Sequence, residues 1–383
     1  MIKKIVYWSP HINHVATVNA VLNSAKSLVR YSKGKFSTEI INVFGEWNNL
    51  IIKDKPLGLY NFKGLSFINI ISSRGIILSR IKYIFIFFFS MPQLFIYLKR
   101  KKPDFLIIHL MTSVPIFLNL LFNFKTKIIL RISGMPKINF LRYIFWKISL
   151  RFIYKISFPT IETLENFKKL NIVNQEKLFF LSDPIIDTKI NYKKIKKINK
   201  IVINKTEFKD YYICIGRLTR QKNLQLLISS FKEVLLCKKN LKVLILGEGE
   251  EFYYLNELIK KNNLENNIFL IGFKKNIEDF LKNSKCLILT SLWEDPGWVL
   301  IESIYYNTFV ISSDCPSGPK ELLQGGGGYL FKNNSKNDLV KTILKFENTS
   351  SEEIIKMKIN AKKNIIKYSL FRHFKLLTKN ILV

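Results

Sequence analysis

A chain of 383 residues is long enough for two domains, each burying its own core, and a hydrophobic content of 48% excludes a disordered polymer. The 61 Lys and Arg against 28 Asp and Glu give a formal charge of +33 and direct attention to anionic partners: nucleic acid, phosphorylated ligands or an anionic membrane surface. Abundant Ile, Lys, Asn and Phe also suit an A+T-biased coding sequence, which raises the Lys count without function. In chain order, Lys3 and Lys4 precede a brief apolar patch that runs into Ser9-Pro10-His11, so the start is not expected to act as a secretory signal. Residues 3–8 read as a first strand. Residues 14–31 read as a first helix, because Val15, Val18, Val21, Leu22, Ala25 and Leu28 recur at helical spacing. The turn between them carries His11 and His14, candidates for an acceptor or phosphate contact, with no third ligand at metal spacing. Residues 37–44 and 64–71 are expected as the next strands. Two later stretches, 76–98 and 105–122, are apolar enough to suggest membrane helices. The first contains Arg80, Lys82, Pro92 and Gln93, and the second His109, Pro115 and Asn119, so neither is expected to span; the second reads as a strand and then a helix.

Residues 77–100 and 140–155 interleave aromatic and basic side chains, among them Arg80, Phe88, Lys99, Arg142, Trp146 and Lys147. That mixture suits either a bilayer interface or helices that pack their rings inward and expose their charges. Strands are expected at 104–110, ending in His109, which is either a core histidine or a residue of the cleft, at 127–131, ending in Arg131 and followed by Ser133, and at 157–160 and 181–187. A basic stretch at 192–200 without an apolar face reads as a linker. Beyond it, strands at 211–216, 242–246, 267–271, 285–290 and 308–312 alternate with helical stretches, the pattern of a doubly wound parallel sheet. Residues 351–382 read as helices. The four cysteines, Cys214, Cys237, Cys286 and Cys315, form no Cys-x-x-Cys pair and indicate neither zinc nor a disulfide framework, which fits a reducing compartment.

The most informative stretch is Ser291-Leu-Trp-Glu-Asp-Pro-Gly-Trp-Val-Leu-Ile-Glu302. It places Glu294 after a strand and Glu302 inside the next helix, on either side of a Pro-Gly turn. Ligands of open α/β sheets bind at such strand ends, where a helix N-terminus offers N–H groups to phosphate. Two carboxylates beside a phosphate cradle suit a sugar nucleotide.

This stretch resembles the Glu-x7-Glu signature of retaining glycosyltransferases of family 4, which have the GT-B fold. Gly216-Arg217-Leu218 with Lys222, the strand that ends in Gly247-Glu248-Gly249, the segment 310–323 and the run Gly325 to Gly328 resemble the family's other motifs in the same order. The resemblance implies an α/β protein of two doubly wound, Rossmann-like domains facing a cleft, with a C-terminal helix crossing back to the first. The expected divisions are 1–190 for the acceptor and membrane-facing domain, 191–207 for the linker, 208–360 for the nucleotide-sugar domain and 361–383 for the returning helix. By the same resemblance Arg217 and Lys222 bind the diphosphate, Glu302 holds the ribose hydroxyls and Glu294 faces the sugar. Gly216, Pro296, Gly297, Trp298 and Val299 line the phosphates, and the base stacks near Phe273. Asp295-Pro-Gly-Trp298 stands where many relatives have Gly-Phe-Gly-Leu, which implies a reshaped sugar pocket. The family's histidine after a first-domain strand is replaced by Arg131, Ser133 and Gly134, which leaves Arg131 for a diphosphate or acidic acceptor group.

No Asp-x-Asp occurs, so no metal or other cofactor is expected. The implied activity is metal-independent transfer from a nucleotide sugar, UDP-linked by preference, to a lipid-linked glycan of bacterial surface polysaccharide, at the inner face of the plasma membrane. The competing readings are a GT-B enzyme of other chemistry, such as an epimerase or a phosphorylase, and a basic nucleic-acid-binding protein. The latter lacks any recognition motif, so nucleic acid is not expected as a partner.

Overall fold

The structure is a computed structural model that describes residues 2–13, 16–51, 57–71, 76–122, 124–136, 138–188, 201–203 and 206–381. It forms two compact units, one of Met1–Ile185 with Leu370–Val383 and one of Ile186–Ser369.

The first unit is built on seven parallel strands: β1 (Lys3–Trp8), β2 (Phe36–Asn42), β3 (Gly58–Asn61), β4 (Phe105–Ile108), β5 (Lys127–Arg131), β6 (Lys155–Phe158) and β7 (Leu178–Phe180). Their order is β3-β2-β1-β4-β5-β6-β7. The central strands are short apolar runs because both faces of the sheet are covered. Side-chain alternation splits β1 between two cores. Val6 and Trp8 face the layer of α3 (Ile76–Lys101), α4 (Ser113–Phe122), α5 (Phe140–Ser149) and α6 (Ile161–Lys168). Ile5 and Tyr7 face α1 (Ala16–Tyr31) and the C-terminal helix, Leu370–Ile381; the short α2 (Asn48–Ile51) follows β2. The C-terminal helix contributes Leu377 and Ile381 to that core, and its buried His373 bonds Ser24 Oγ at 2.7 Å and Ser182 O at 2.6 Å.

Two strand expectations in this unit are corrected. Residues 64–71 hold a 3-10 turn, Ser66–Ile70, because the buried Phe62, Leu65 and Ile68 recur every three residues rather than every two. Residues 181–187 form no ladder strand: Pro184 has no N–H to give, and one isolated bridge joins Ile186 to Ser369. The stretch 105–122 is the expected strand followed by a helix, β4 then α4. Among the described residues one segment, Ile77–Lys101, is long and apolar enough to cross a membrane, with a mean hydropathy of 1.6 and 33% of its most apolar window buried.

The second unit has six parallel strands: β10 (Tyr211–Ile215), β11 (Val243–Leu246), β12 (Ile268–Gly272), β13 (Ser284–Leu289), β14 (Phe309–Ser313) and β15 (Tyr329–Phe331). They are preceded by a small antiparallel pair, β8 (Ile201–Ile203) and β9 (Thr206–Phe208). Helices α7 (Leu224–Cys237), α8 (Phe252–Lys261), α9 (Ile277–Asn283), α10 (Trp298–Tyr305), α11 (Pro319–Leu323), α12 (Lys336–Glu347) and α13 (Ser351–Ile365) fill the connections, and the C-terminal helix is α14. The whole of the basic stretch 192–200, and with it most of the expected linker 191–207, lies outside the described residues. The order β12-β11-β10-β13-β14-β15 reverses direction between β10 and β13. At that switch point the loops leaving the two strands part to opposite sides and open a crevice at their carboxyl ends.

Candidate active site

The loops that leave β10 and β13 carry both halves of the expected motif, and the fold brings them together. Lys222 Nζ lies 2.5 Å from Glu294 Oε1, and Ser291 Oγ donates to the same oxygen at 2.6 Å. Glu294 is only 8% exposed, and its Oε2 has no hydrogen-bond partner among the described residues. The loops are also stapled through backbone atoms. Thr290 Oγ1 donates to Lys222 O at 2.8 Å, Leu292 N donates to Gln221 O at 2.8 Å, and Gln221 Nε2 donates to Trp293 O at 2.8 Å. The loop after β14 secures the other side, with Glu294 N donating to Pro316 O at 3.1 Å and Ser313 Oγ to Ser291 O at 2.6 Å. Gly318 makes this approach possible: a Cβ there would lie 2.1 Å from Pro296 O. The Lys222 stem crosses Gly216, where a Cβ would lie 3.0 Å from Lys222 Cε.

Pro296 and Gly297 are buried and turn the chain into α10. Gly297, at φ +89°, is the residue before the helix, and no side chain caps it. The positive end of α10 therefore points into the crevice side of this turn without a capping side chain at Gly297, a setting that favours an anion. Val299 is buried and Trp298 half-buried in the first turn. One turn further, Glu302 is half-buried; burial first, and then the Glu278 carboxylate, push its carboxyl up to about 7. Among the described residues its side chain has neither a hydrogen bond nor an ion pair. Arg217 is exposed and likewise unpaired among the described residues, and Phe273 is 61% exposed at the end of β12. The site therefore presents a fixed, charge-balanced core of Lys222, Glu294 and Ser291 beside one cation and one carboxyl uncommitted among the described residues, and the N-terminus of α10. Sequence reasoning missed Ser291, Gln221 and Ser313. The one available signal was a hydroxyl three residues before Glu294.

The first-unit candidates do not form such a cluster. His11 is buried, with Nδ1 3.3 Å from Ser9 O and its ring edge-on to Trp47; His14 lies outside the described residues. His109 directly follows β4, its buried Nδ1 has no hydrogen-bond partner among the described residues, and burial, Arg131 and His373 hold its pKa well below the ordinary range. Arg131, expected to meet an acidic group of a ligand, is instead 3% exposed and committed to its own unit. It donates to Leu181 O and to Asp183 Oδ1, each at 2.5 Å. Its charge and its place at the strand end where the family carries a histidine marked it as a ligand contact, but a guanidinium at the end of a buried strand needs an internal acid, which Asp183 supplies. Ser133 is exposed in the following loop. Among the described residues no group of three His, Cys, Asp or Glu side chains could hold a metal ion.

The motif-bearing unit matches a known domain. Residues 195–364 match the family model for glycosyl transferases group 1. An uncharacterized glycosyltransferase of Methanocaldococcus jannaschii is 49% identical over 118 residues, which cover 30% of this chain and 29% of that protein. The N-acetylgalactosamine-N,N'-diacetylbacillosaminyl-diphospho-undecaprenol 4-alpha-N-acetylgalactosaminyltransferase of Campylobacter jejuni is 27% identical over 203 residues, 53% of this chain and 55% of that protein. The chain thus spans about a third to a half of the length of such relatives. The crystal structure of Anabaena HepE in complex with UDP and glucose superposes with a TM-score of 0.74 at 14% identity, covering 99% of both chains. The fold is GT-B.

Proposed function

We propose that the chain is a retaining, metal-independent glycosyltransferase. It moves a sugar from a nucleotide sugar, UDP-linked in preference to GDP-linked, to a hydroxyl of a lipid-linked glycan in bacterial surface polysaccharide synthesis: O-antigen, capsule or lipooligosaccharide. It works at the inner face of the plasma membrane. The observation that carries this reading is the grouping, on loops held at the switch point, of Lys222, Glu294 and Ser291 with Arg217 and Glu302, both unpaired among the described residues, and the N-terminus of α10. The relatives support the substrate classes: one acts on a diphospho-undecaprenol glycan, and another was crystallised with UDP and glucose.

In this reading the departing diphosphate meets Arg217, Lys222 and the first-turn N–H groups of α10, which stabilise charge as it develops on the leaving oxygen. Glu302 accepts hydrogen bonds from the ribose hydroxyls, and the open Oε2 of Glu294 accepts from a sugar hydroxyl. The acceptor oxygen forms its bond to the anomeric carbon on the face from which the diphosphate oxygen departs. A diphosphate oxygen takes the acceptor's proton.

The test is release of nucleoside diphosphate from a panel of UDP- and GDP-sugars, with and without EDTA. Turnover that persists in EDTA and falls about 100- to 1,000-fold in kcat/KM in Arg217→Ala and Lys222→Ala would support the assignment. A folded wild-type chain that neither binds nor turns over any nucleotide sugar refutes it.

A further inference from the structure

In the layer α3–α4–α5, the side of each helix turned away from the sheet is apolar, where the outer face of such a layer is ordinarily polar. On α3 the inward side carries Ile86, Leu94, Tyr97 and Leu98, all buried. The opposite side carries Ile77, Ile81, Ile84 and Phe88 at successive turns, with Ile77 74% and Phe88 64% exposed. On α4, Phe117 and Leu121 are exposed one turn apart; on α5, Leu141, Ile144 and Ile148 are exposed at the same spacing, Leu141 at 76%. The helices adjoin: Phe87 of α3 meets Phe117 of α4, Phe95 meets Phe122 with ring centroids 4.6 Å apart, and α4 packs on α5.

The charges of this layer are one-sided. Residues 76–161 contain a single acid, Asp104, whose carboxylate accepts from Lys4 N. Arg80, Lys99, Arg100, Arg142, Lys147 and Arg151 are exposed on α3, α5 and the turn after α5. Lys99 and Lys147 lie over the Phe95 and Tyr143 rings of their own helices, so their stems cover apolar surface while the ammonium groups stay near water. Lys82 does not belong to this set, because it is buried, donates to Ile71 O and lies over Phe44.

We propose that the outer faces of α3, α4 and α5 form one docking surface that sits in the interface of an anionic lipid bilayer. It rests on the glycosyltransferase reading for its purpose, which is to hold the chain beside a lipid-linked acceptor. Aliphatic and aromatic side chains enter the headgroup boundary while the basic groups pair with anionic headgroups. A second copy of the chain is a poorer occupant, since two such faces would bring basic rims together. Nucleic acid gains nothing from exposed Ile and Leu. Nor does α3 cross the bilayer, because its other side is built into the sheet core with Lys82, Ser90 and Gln93 on it.

The test is flotation of the full chain with vesicles of phosphatidylcholine alone or with one-third phosphatidylglycerol, with UDP binding measured in parallel. The chain is expected to float with the anionic vesicles, to release partly in high salt and to be extracted by alkaline carbonate. Ile84→Asp/Phe88→Asp and Leu141→Asp/Ile144→Asp should each lower partitioning by about tenfold or more, with circular dichroism and UDP binding unchanged. Wild-type chain that binds UDP but no vesicle refutes the surface and leaves the donor reading standing. Chain that floats but binds no nucleotide supports the surface and removes the donor reading. Equal flotation of the variants, resistance to carbonate, or a lipid-independent dimer abolished by the variants would each overturn the proposal.

Discussion

Glu302 sets stability against binding in a way that pH can separate. Its carboxyl moves from an ordinary 4.5 to about 7, chiefly through burial, with no partner among the described residues to offset the lost hydration. A shift of that size costs the ionised form about 3 kcal/mol. The sign follows from linkage: a carboxyl raised on folding contributes most below 4.5, and that contribution is lost as the pH rises through 7. At pH 8 the ligand-free second unit therefore carries nearly the full cost, and at pH 5 about 1 kcal/mol of it. Glu302→Gln keeps the shape and removes the charge. It is expected to raise the melting temperature of this unit at pH 8 by roughly 6–12 °C, and by much less at pH 5. Because the ionised carboxylate is the better acceptor for ribose hydroxyls, the same variant should bind UDP more weakly, and UDP should stabilise wild type more than the variant. Wild-type binding should release protons near pH 7, seen by calorimetry in buffers of different ionisation enthalpy. A variant no more stable than wild type at pH 8, or one that binds UDP as tightly, would refute the reasoning.

Gly318→Ala should destabilise the second unit by about 3 kcal/mol or more in urea, because its Cβ would meet Pro296 O at 2.1 Å; Gly325→Ala, with nothing within 4 Å, should cost about 1–2 kcal/mol. Equal effects would mean that the two loops do not meet as described. In the first unit, burial holds the His373 imidazole at about 3, so its contribution is present above pH 6.5 and is lost as the pH falls below that. Denaturation between pH 6 and 4 should show wild type losing about 2–3 kcal/mol more than His373→Gln, and parallel curves would exclude the assignment.

The parallel strands were legible because a strand buried on both faces reads as an unbroken apolar run, as in Phe105-Leu-Ile-Ile108 and Val243-Leu-Ile-Leu246. The site was legible because its charged residues sit on short loops that follow such runs, so the order of the sheet alone brings Lys222 to Glu294. Charges with partners far along the chain were not legible. Arg131 looked like a ligand contact until Asp183, 52 residues away, claimed it, and Lys82 looked like a surface cation while it caps a backbone carbonyl. The strand β15 escaped because three residues after a glycine run carry no readable period. The 3-10 turn at Ser66–Ile70 escaped because a spacing of three in so short a segment mimics a strand. In α3, apolar residues all round hid two faces with different uses.

The helix α14 belongs to the first unit, although the whole second unit separates it from the rest of that unit in the chain. During synthesis the first sheet can be complete while its α1 side still lacks Leu377, Ile381 and the imidazole that bonds Ser24 and Ser182. About 200 further residues must emerge before that side closes, a wait of roughly 10–40 s at ordinary translation rates. The second unit is contiguous and can finish first. The chain is thus made in an order that leaves its N-terminal half waiting, with an apolar groove open to chaperones, until its last turns of helix arrive.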